Sequence, residues 1–222
     1  MNPPNRNAPS ERARVRRLPI RADYDRATIE AVLDAGLVGH VAFVVDSYPA
    51  LVPMLYARVG DEVVLHGSKA SRALRSLADG DEFCFSVTHL DGIVLARSAF
   101  HHTANYRSVV LYGRARAVVD DDEKQALLRA LVERVMPGRS DDIRGPNENE
   151  LAATAVVALP LDEGSVKLRD DGPIDTDEDR ELPVWAGVVP LALRALPPVA
   201  AGDLREGIGR PAYVDAWVAE RS

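Results

Sequence analysis

The sequence predicts a mainly β protein with a few helices, built as an antiparallel barrel. About seven short runs rich in β-branched residues recur along the chain, most of them separated by compact turn-forming stretches. Only a few segments carry apolar residues at the helical period. Parallel strands would need a crossover between nearly every pair, so antiparallel pairing and barrel closure are expected.

Asp25 is placed to cap a first helix through Ala27, Ile29, Val32 and Leu33, with Gly36 as its terminator. Runs at 38–45, 51–59 and 63–66 follow, and their separators predict an antiparallel meander. Ser68 is positioned to cap a second helix ending at Gly80. Runs at 83–88 and 93–98 flank Asp91-Gly92, a hairpin signal, and Gly113 marks a bend in the run 106–119. Asp120, Asp121 and Asp122 open a third helix at its positive end, with Leu127, Ala130, Leu131 and Val135 as the core stripe. Runs at 153–161, 165–169 and 182–196 complete the set. Residues 170–181 hold seven acids and one Arg and read as a solvated loop. Residues 212–221 read as a short terminal helix.

With 222 residues, 46% of them hydrophobic, the chain has material for a sizeable core. A formal charge of -7 argues against nucleic acid as the main partner. Residues 1–21 depart from that balance: Arg6, Arg12, Arg14, Arg16, Arg17 and Arg21 face only Glu11, which predicts a basic flexible or surface-draped tail. As a nucleic-acid arm this tail would bind with steep salt dependence, and the acidic body disfavours that reading. No apolar run is long enough to cross a bilayer, and no secretory or transit pattern is visible, so a cytoplasmic protein without membrane partners is expected. Cys84 is the single cysteine, which excludes an intrachain disulfide and fits a reducing compartment.

Chemistry concentrates in Leu65-His66-Gly67-Ser68-Lys69-Ala70-Ser71-Arg72, where a strand runs into a helix start. Unpaired backbone N–H groups there attract an anion, and Lys69, Arg72 and Arg75 recur on one side of the helix, away from Leu74 and Leu77. A phosphate site and a capped surface helix with solvated cations both fit this pattern. His66, just before the turn, suits a proton donor to a ligand, or a structural bond to backbone. His101 and His102 are adjacent, so their side chains diverge and make a poor chelate; no metal site is expected. Cys84, between Phe83 and Phe85, reads as an inert thiol.

In order, four stretches carry a resemblance: Leu65-His66-Gly67-Ser68; Leu95-Ala96-Arg97-Ser98-Ala99-Phe100-His101-His102; Asn105-Tyr106-Arg107-Ser108-Val109-Val110-Leu111-Tyr112-Gly113-Arg114-Ala115; and Trp185-Ala186-Gly187-Val188-Val189-Pro190-Leu191. Together they resemble the pyridoxamine 5'-phosphate oxidase-like FMN-binding proteins, in the branch that includes nitroimidazole-resistance proteins. The resemblance implies an antiparallel Greek-key split β-barrel over residues 22–196, with a C-terminal extension at 197–222. It also implies a homodimer with FMN in a cleft built by both subunits. By the same resemblance, Val52, Pro53, Met54 and Leu55 run along the flavin ring, Ser68, Lys69 and Arg72 take the phosphate, Tyr106, Arg107 and Ser108 form the second cofactor segment, and Trp185 reaches the partner's flavin. Read as a strand, Tyr106 and Ser108 share a face that Arg107 does not. Trp185 read alone is a core or interface aromatic. The implied function is an FMN-dependent oxidoreductase acting on a small planar substrate; the alternative is a non-catalytic barrel that binds or senses flavin, deazaflavin or haem. The C-terminal segment differs from that of the vitamin-forming oxidases, which argues against pyridoxine chemistry.

Overall fold

A computed structural model describes residues 7–222, so Arg6 and the rest of residues 1–6 lie outside the described chain. The elements are β1 (Ala22–Asp23), α1 (Arg26–Ala35), β2 (Val38–Val45), β3 (Tyr48–Leu55), β4 (Ala57–Val59), β5 (Glu62–Ser68) and α2 (Arg72–Ala78), followed by β6 (Glu82–Leu95), β7 (Thr103–Arg114), β8 (Arg116–Ala117), α3 (Asp121–Val135), α4 (Glu148–Ala153), β9 (Thr154–Pro160), β10 (Glu163–Arg169), α5 (Asp177–Arg180), β11 (Gly187–Pro190) and α6 (Ala212–Ala219).

The strands form two antiparallel sheets. The larger runs β1-β10-β7-β6-β2-β3 with β11 paired to β6, and the smaller runs β4-β5-β9-β8. The chain passes between them four times, twice through a single corner residue. β3 gives way to β4 at Tyr56, and β7 gives way to β8 at Ala115; both corner residues are buried. Strands that switch sheets at a bend are how two sheets share one core. That core lies between the sheets and holds Val41, Leu65, Phe85, Leu111, Val157 and Leu159, with Ile29, Val32 and Leu33 of α1. A second cluster joins Val64, Val156 and Ala158 on the outer face of the smaller sheet to Leu127 and Leu131 of α3. Asp25 and Asp120 cap α1 and α3 through their side chains, as their positions predict.

The mainly β antiparallel fold is as predicted, and several local expectations are corrected. The run 51–59 is two strands in different sheets, so the expected meander divides at Tyr56. Asp91-Gly92 makes no hairpin: β6 runs through it against β7 with a register shift between Leu90 and Gly92. That is a bulge, in which one extra residue is left unpaired. Ser71, not Ser68, caps α2; Ser68 is the last residue of β5, and its hydroxyl accepts from the Ala70 N–H at 3.1 Å. Only Gly187–Pro190 of the run 182–196 is strand. The acidic loop is not wholly solvated, because Asp175 is buried and accepts from both the backbone and the guanidinium of Arg97. In the N-terminal segment, Arg12 reaches Glu82 and Glu163 over the ring of Tyr112, and Ala13 is buried.

Candidate functional site

Alternation along β5 sets the site. Val63 and Leu65 enter the central core, so Val64, His66 and Ser68 point to the side covered by α3. Beyond Val64 the cover lifts, and a cavity of about 720 Å³ opens between β5, the start of β9, α3 and residues 136–146. Leu55, Leu128, Leu131, Val132, Val135, Met136 and Ile143 give it apolar walls, and His66, Arg129, Arg139, Ser140, Arg144 and Thr154 add polar groups.

His66 is exposed on the cavity wall, with protein on its remaining sides. Loss of solvent pushes its pKa down from the ordinary imidazole value, so the ring is neutral at pH 7. A neutral ring keeps a nitrogen lone pair for a ligand. The three arginines are held at the rim: Arg129 by Asp141 at 2.6 Å, Arg144 by Glu150 at 2.6 Å, and Arg139 by the Tyr213 hydroxyl at 3.0 Å.

One carboxylate braces the wall at 138–140. Gly138 turns the chain at φ 84°, a left-handed conformation that suits glycine. Glu133 accepts from the Gly138 and Ser140 N–H groups and the Ser140 hydroxyl, which lowers its pKa to about 2. The sign follows from linkage: a depressed carboxylate stabilises the fold above its unfolded pKa and loses that contribution as pH falls toward its folded value. Glu133→Gln is therefore expected to speed amide exchange at Gly138 and Ser140 at pH 7, and the difference from wild type should vanish toward pH 2. Hydrogen exchange read by mass spectrometry checks this.

On the far side of Thr154 lies a smaller cavity of about 390 Å³, lined by Lys69, Arg75 and Lys124 together with Asp79 and Asp121. Lys124 is 4% exposed and donates to the Leu151 carbonyl; burial and the nearby Lys69 both hold its pKa down. Among the described residues no carboxylate pairs with Lys69, Arg72 or Arg75, although most arginines of the chain are paired. Such a cluster of cations attracts anions.

The remaining predicted residues lie on the larger sheet. Val52 and Met54 pack on the central core, leaving Pro53 and Leu55 on the opposite, open face. Among the described residues β3 pairs only with β2, which leaves its outer backbone edge without a strand partner there. Tyr106 and Ser108 share the open face, where Ser108 pairs in register with Thr88 and Lys167. Arg107 faces the other way and forms a two-pronged pair with Asp91 of the bulge, at 2.9 and 2.8 Å. Trp185 is 66% exposed, with its ring over Gly187. The predicted residues thus divide among three places. His66 and Leu55 line the large cavity, Lys69 the small one, and Pro53, Leu55, Tyr106 and Ser108 share the open sheet face. Sequence reasoning missed Met136, Arg129, Arg139 and Arg144. The available signal was Arg139 and Arg144 at the Pro137-Gly138 and Gly145-Pro146 breaks, just after an amphipathic helix that carries Arg129.

A family model described as pyridoxamine 5'-phosphate oxidase matches residues 25–168. No curated protein matches the chain. Among solved structures, the flavocytochrome Anf3 from Azotobacter vinelandii is 37% identical with a TM-score of 0.91, over 95% of this chain and 98% of its own. The FAD and heme binding protein from Mycobacterium smegmatis is 40% identical with a TM-score of 0.86, over 89% of this chain and 97% of its own. A protein from Bacteroides thetaiotaomicron VPI-5482 named for 5-nitroimidazole antibiotic resistance is 18% identical with a TM-score of 0.54, over 65% and 86% of the two chains, a likeness of fold alone.

Proposed function

The chain belongs to the pyridoxamine 5'-phosphate oxidase family, and from that premise we propose that it is a two-cofactor electron-transfer protein. It holds a flavin against the open face of the larger sheet in a homodimer, and a haem in the His66 cavity. The observation that carries the haem half is the cavity itself. It combines a neutral imidazole, apolar walls and three rim arginines in a volume typical of cofactor sites. The two whole-chain relatives named above for flavin with cytochrome, and for FAD with heme, support the pairing.

The donor set fits a haem. His66 would hold the group through a ring nitrogen, Met136 and the aliphatic wall would exclude water, and Arg129, Arg139 and Arg144 would face its carboxylates. When bound, haem and flavin supply one- and two-electron redox chemistry; the chain's own task is to orient them and set their surroundings. Pro53, Leu55, Tyr106 and Ser108 offer the flavin ring a surface, with the free edge of β3 as a source of backbone hydrogen bonds. The 40% identical relative favours FAD. FMN is the second reading, favoured by the unpaired Lys69, Arg72 and Arg75, which suit a terminal phosphate.

The test is an absorbance spectrum of purified protein, with extraction and mass analysis of whatever it holds. A flavin band and a haem Soret band together are expected; a protein that takes up neither on soaking overturns the reading. The extracted mass decides between FAD and FMN. Turnover is tested by steady-state oxidation of NADH or NADPH with a small planar acceptor such as a nitroimidazole.

A further inference from the structure

We propose that residues 191–211 are an arm that packs on a second copy of this chain, which deepens and rests on the homodimer reading above. The arm joins β11 to α6 through 21 residues without helix or strand. Connections longer than about 15 residues without structure of their own are uncommon in compact domains and call for a role. Its composition is wrong for a solvated linker. Leu193 is 98% exposed, Val199 is 93% exposed, and Leu196, Leu204 and Ile208 also face solvent. Polar tracts solvate linkers, whereas a row of exposed branched aliphatic side chains marks a surface awaiting a partner.

Both ends of the arm are tied to its own protomer. The Leu191 N–H donates to the Asp91 carbonyl at 3.0 Å, and the Ala195 N–H donates to the Arg221 carbonyl at 2.7 Å. α6 is anchored by Tyr213, whose hydroxyl donates to Asp142 at 2.7 Å beside Gly138. α6 itself, sequence AYVDAWVA, buries no residue fully despite its apolar composition. The arm is thus presented outward from fixed ends.

Area sets the size of the occupant. A monomer of 24.1 kDa is expected to expose about 10,000 Å². This chain exposes 13773 Å². The excess, about 3,800 Å², is several times the roughly 800 Å² that each partner loses in a standard interface and suits an obligate dimer. A second copy also brings the complementary surface: the open sheet face exposes Val38, Val44 and Leu51, and among the described residues no strand pairs beyond β3 on that side. In a two-fold dimer each arm meets the partner's sheet face, and both surfaces are buried twice.

The test uses the full chain. Sedimentation velocity of wild type and of the Leu193→Asp/Val199→Asp variant is paired with timed trypsin digestion of wild type, read at Arg194. Because both substituted side chains are exposed in the protomer, the variant should fold, as circular dichroism will show. Its dimer dissociation constant is expected to rise at least about 100-fold, since two buried aliphatic contacts become charged. In wild type, cleavage at Arg194 should be slow in the dimer and fast on dilution to monomer. A wild-type dimer with Arg194 cleaved equally fast at both dilutions, or a folded variant with an unchanged dissociation constant, overturns the arm and leaves the dimer standing. A wild type that stays monomeric at micromolar concentrations overturns both.

Discussion

Replacing His66 with alanine is expected to weaken haem binding at least about 100-fold while the flavin band and the fold persist. Changes to groups that merely orient a metal ligand cost 10- to about 100-fold in affinity, so losing the ligand itself costs more. The separation of effects follows from the alternation of β5. Val63 and Leu65 build the central core, whereas His66 points into the cavity under α3. Its removal opens no hole in the core, and unfolding free energy should change by less than about 1 kcal/mol. The pH dependence has a definite sign. A proton and an iron compete for the same ring nitrogen, and desolvation lowers the pKa of His66. Haem should therefore be retained through neutral pH and released only as pH falls below the ordinary imidazole value of about 6.5. A Soret titration of reconstituted wild type and Arg139→Ala checks this. The arginine variant should bind more weakly at every pH with an unchanged spectrum, because it removes a counter-charge and not the ligating imidazole.

How much of this was readable in advance depended on the range of the interactions involved. Caps are local chemistry, and Asp25 and Asp120 do what their positions predict. The helices and most strands carry their own period. What sequence alone missed are places where two locally equivalent conformations are separated only by tertiary contacts. Asp91-Gly92 fits a hairpin or a bulge equally well; the deciding facts are the continued pairing of Ile93 and Val94 with β7 and the capture of Asp91 by Arg107. The run 51–59 carries no mark of its division, because Tyr56 turns the chain by donating its hydroxyl to the Leu33 carbonyl, 23 residues away.

The candidate site shows the same limit. The cation cluster at 69–75 is a spacing within one helix and could be seen. The large cavity is an absence of packing where α3 leaves the surface of β5. Its arginines come from positions 129 to 144, and only the fold brings them opposite His66. Arg107 shows the converse: a residue singled out by its place in a pattern has its side chain already engaged, here by Asp91.

Gly39→Ala is expected to destabilise the protein by roughly 3 kcal/mol, at the upper end of what overpacking a core costs. Gly39 lies on the core face of β2, and a Cβ placed there would sit 2.1 Å from the tip of the Phe85 ring. Phe85 is fully buried across the register from Val41, and its ring stacks edge-on against Tyr56 with centroids 5.3 Å apart. It cannot retreat without disturbing the corner where β3 becomes β4. Phe85→Ala, which leaves a cavity in the same place, is expected to cost about 3–5 kcal/mol. If the glycine exists to admit the ring, the two changes must be coupled. Gly39→Ala in a Phe85→Leu background should then cost at least about 1 kcal/mol less than in wild type, as contacting residues do in a double-mutant cycle. Chemical denaturation of the four proteins measures this. Additive costs would mean that Gly39 is required for the path of the β2 backbone, with no dependence on the aromatic side chain that now lies over it.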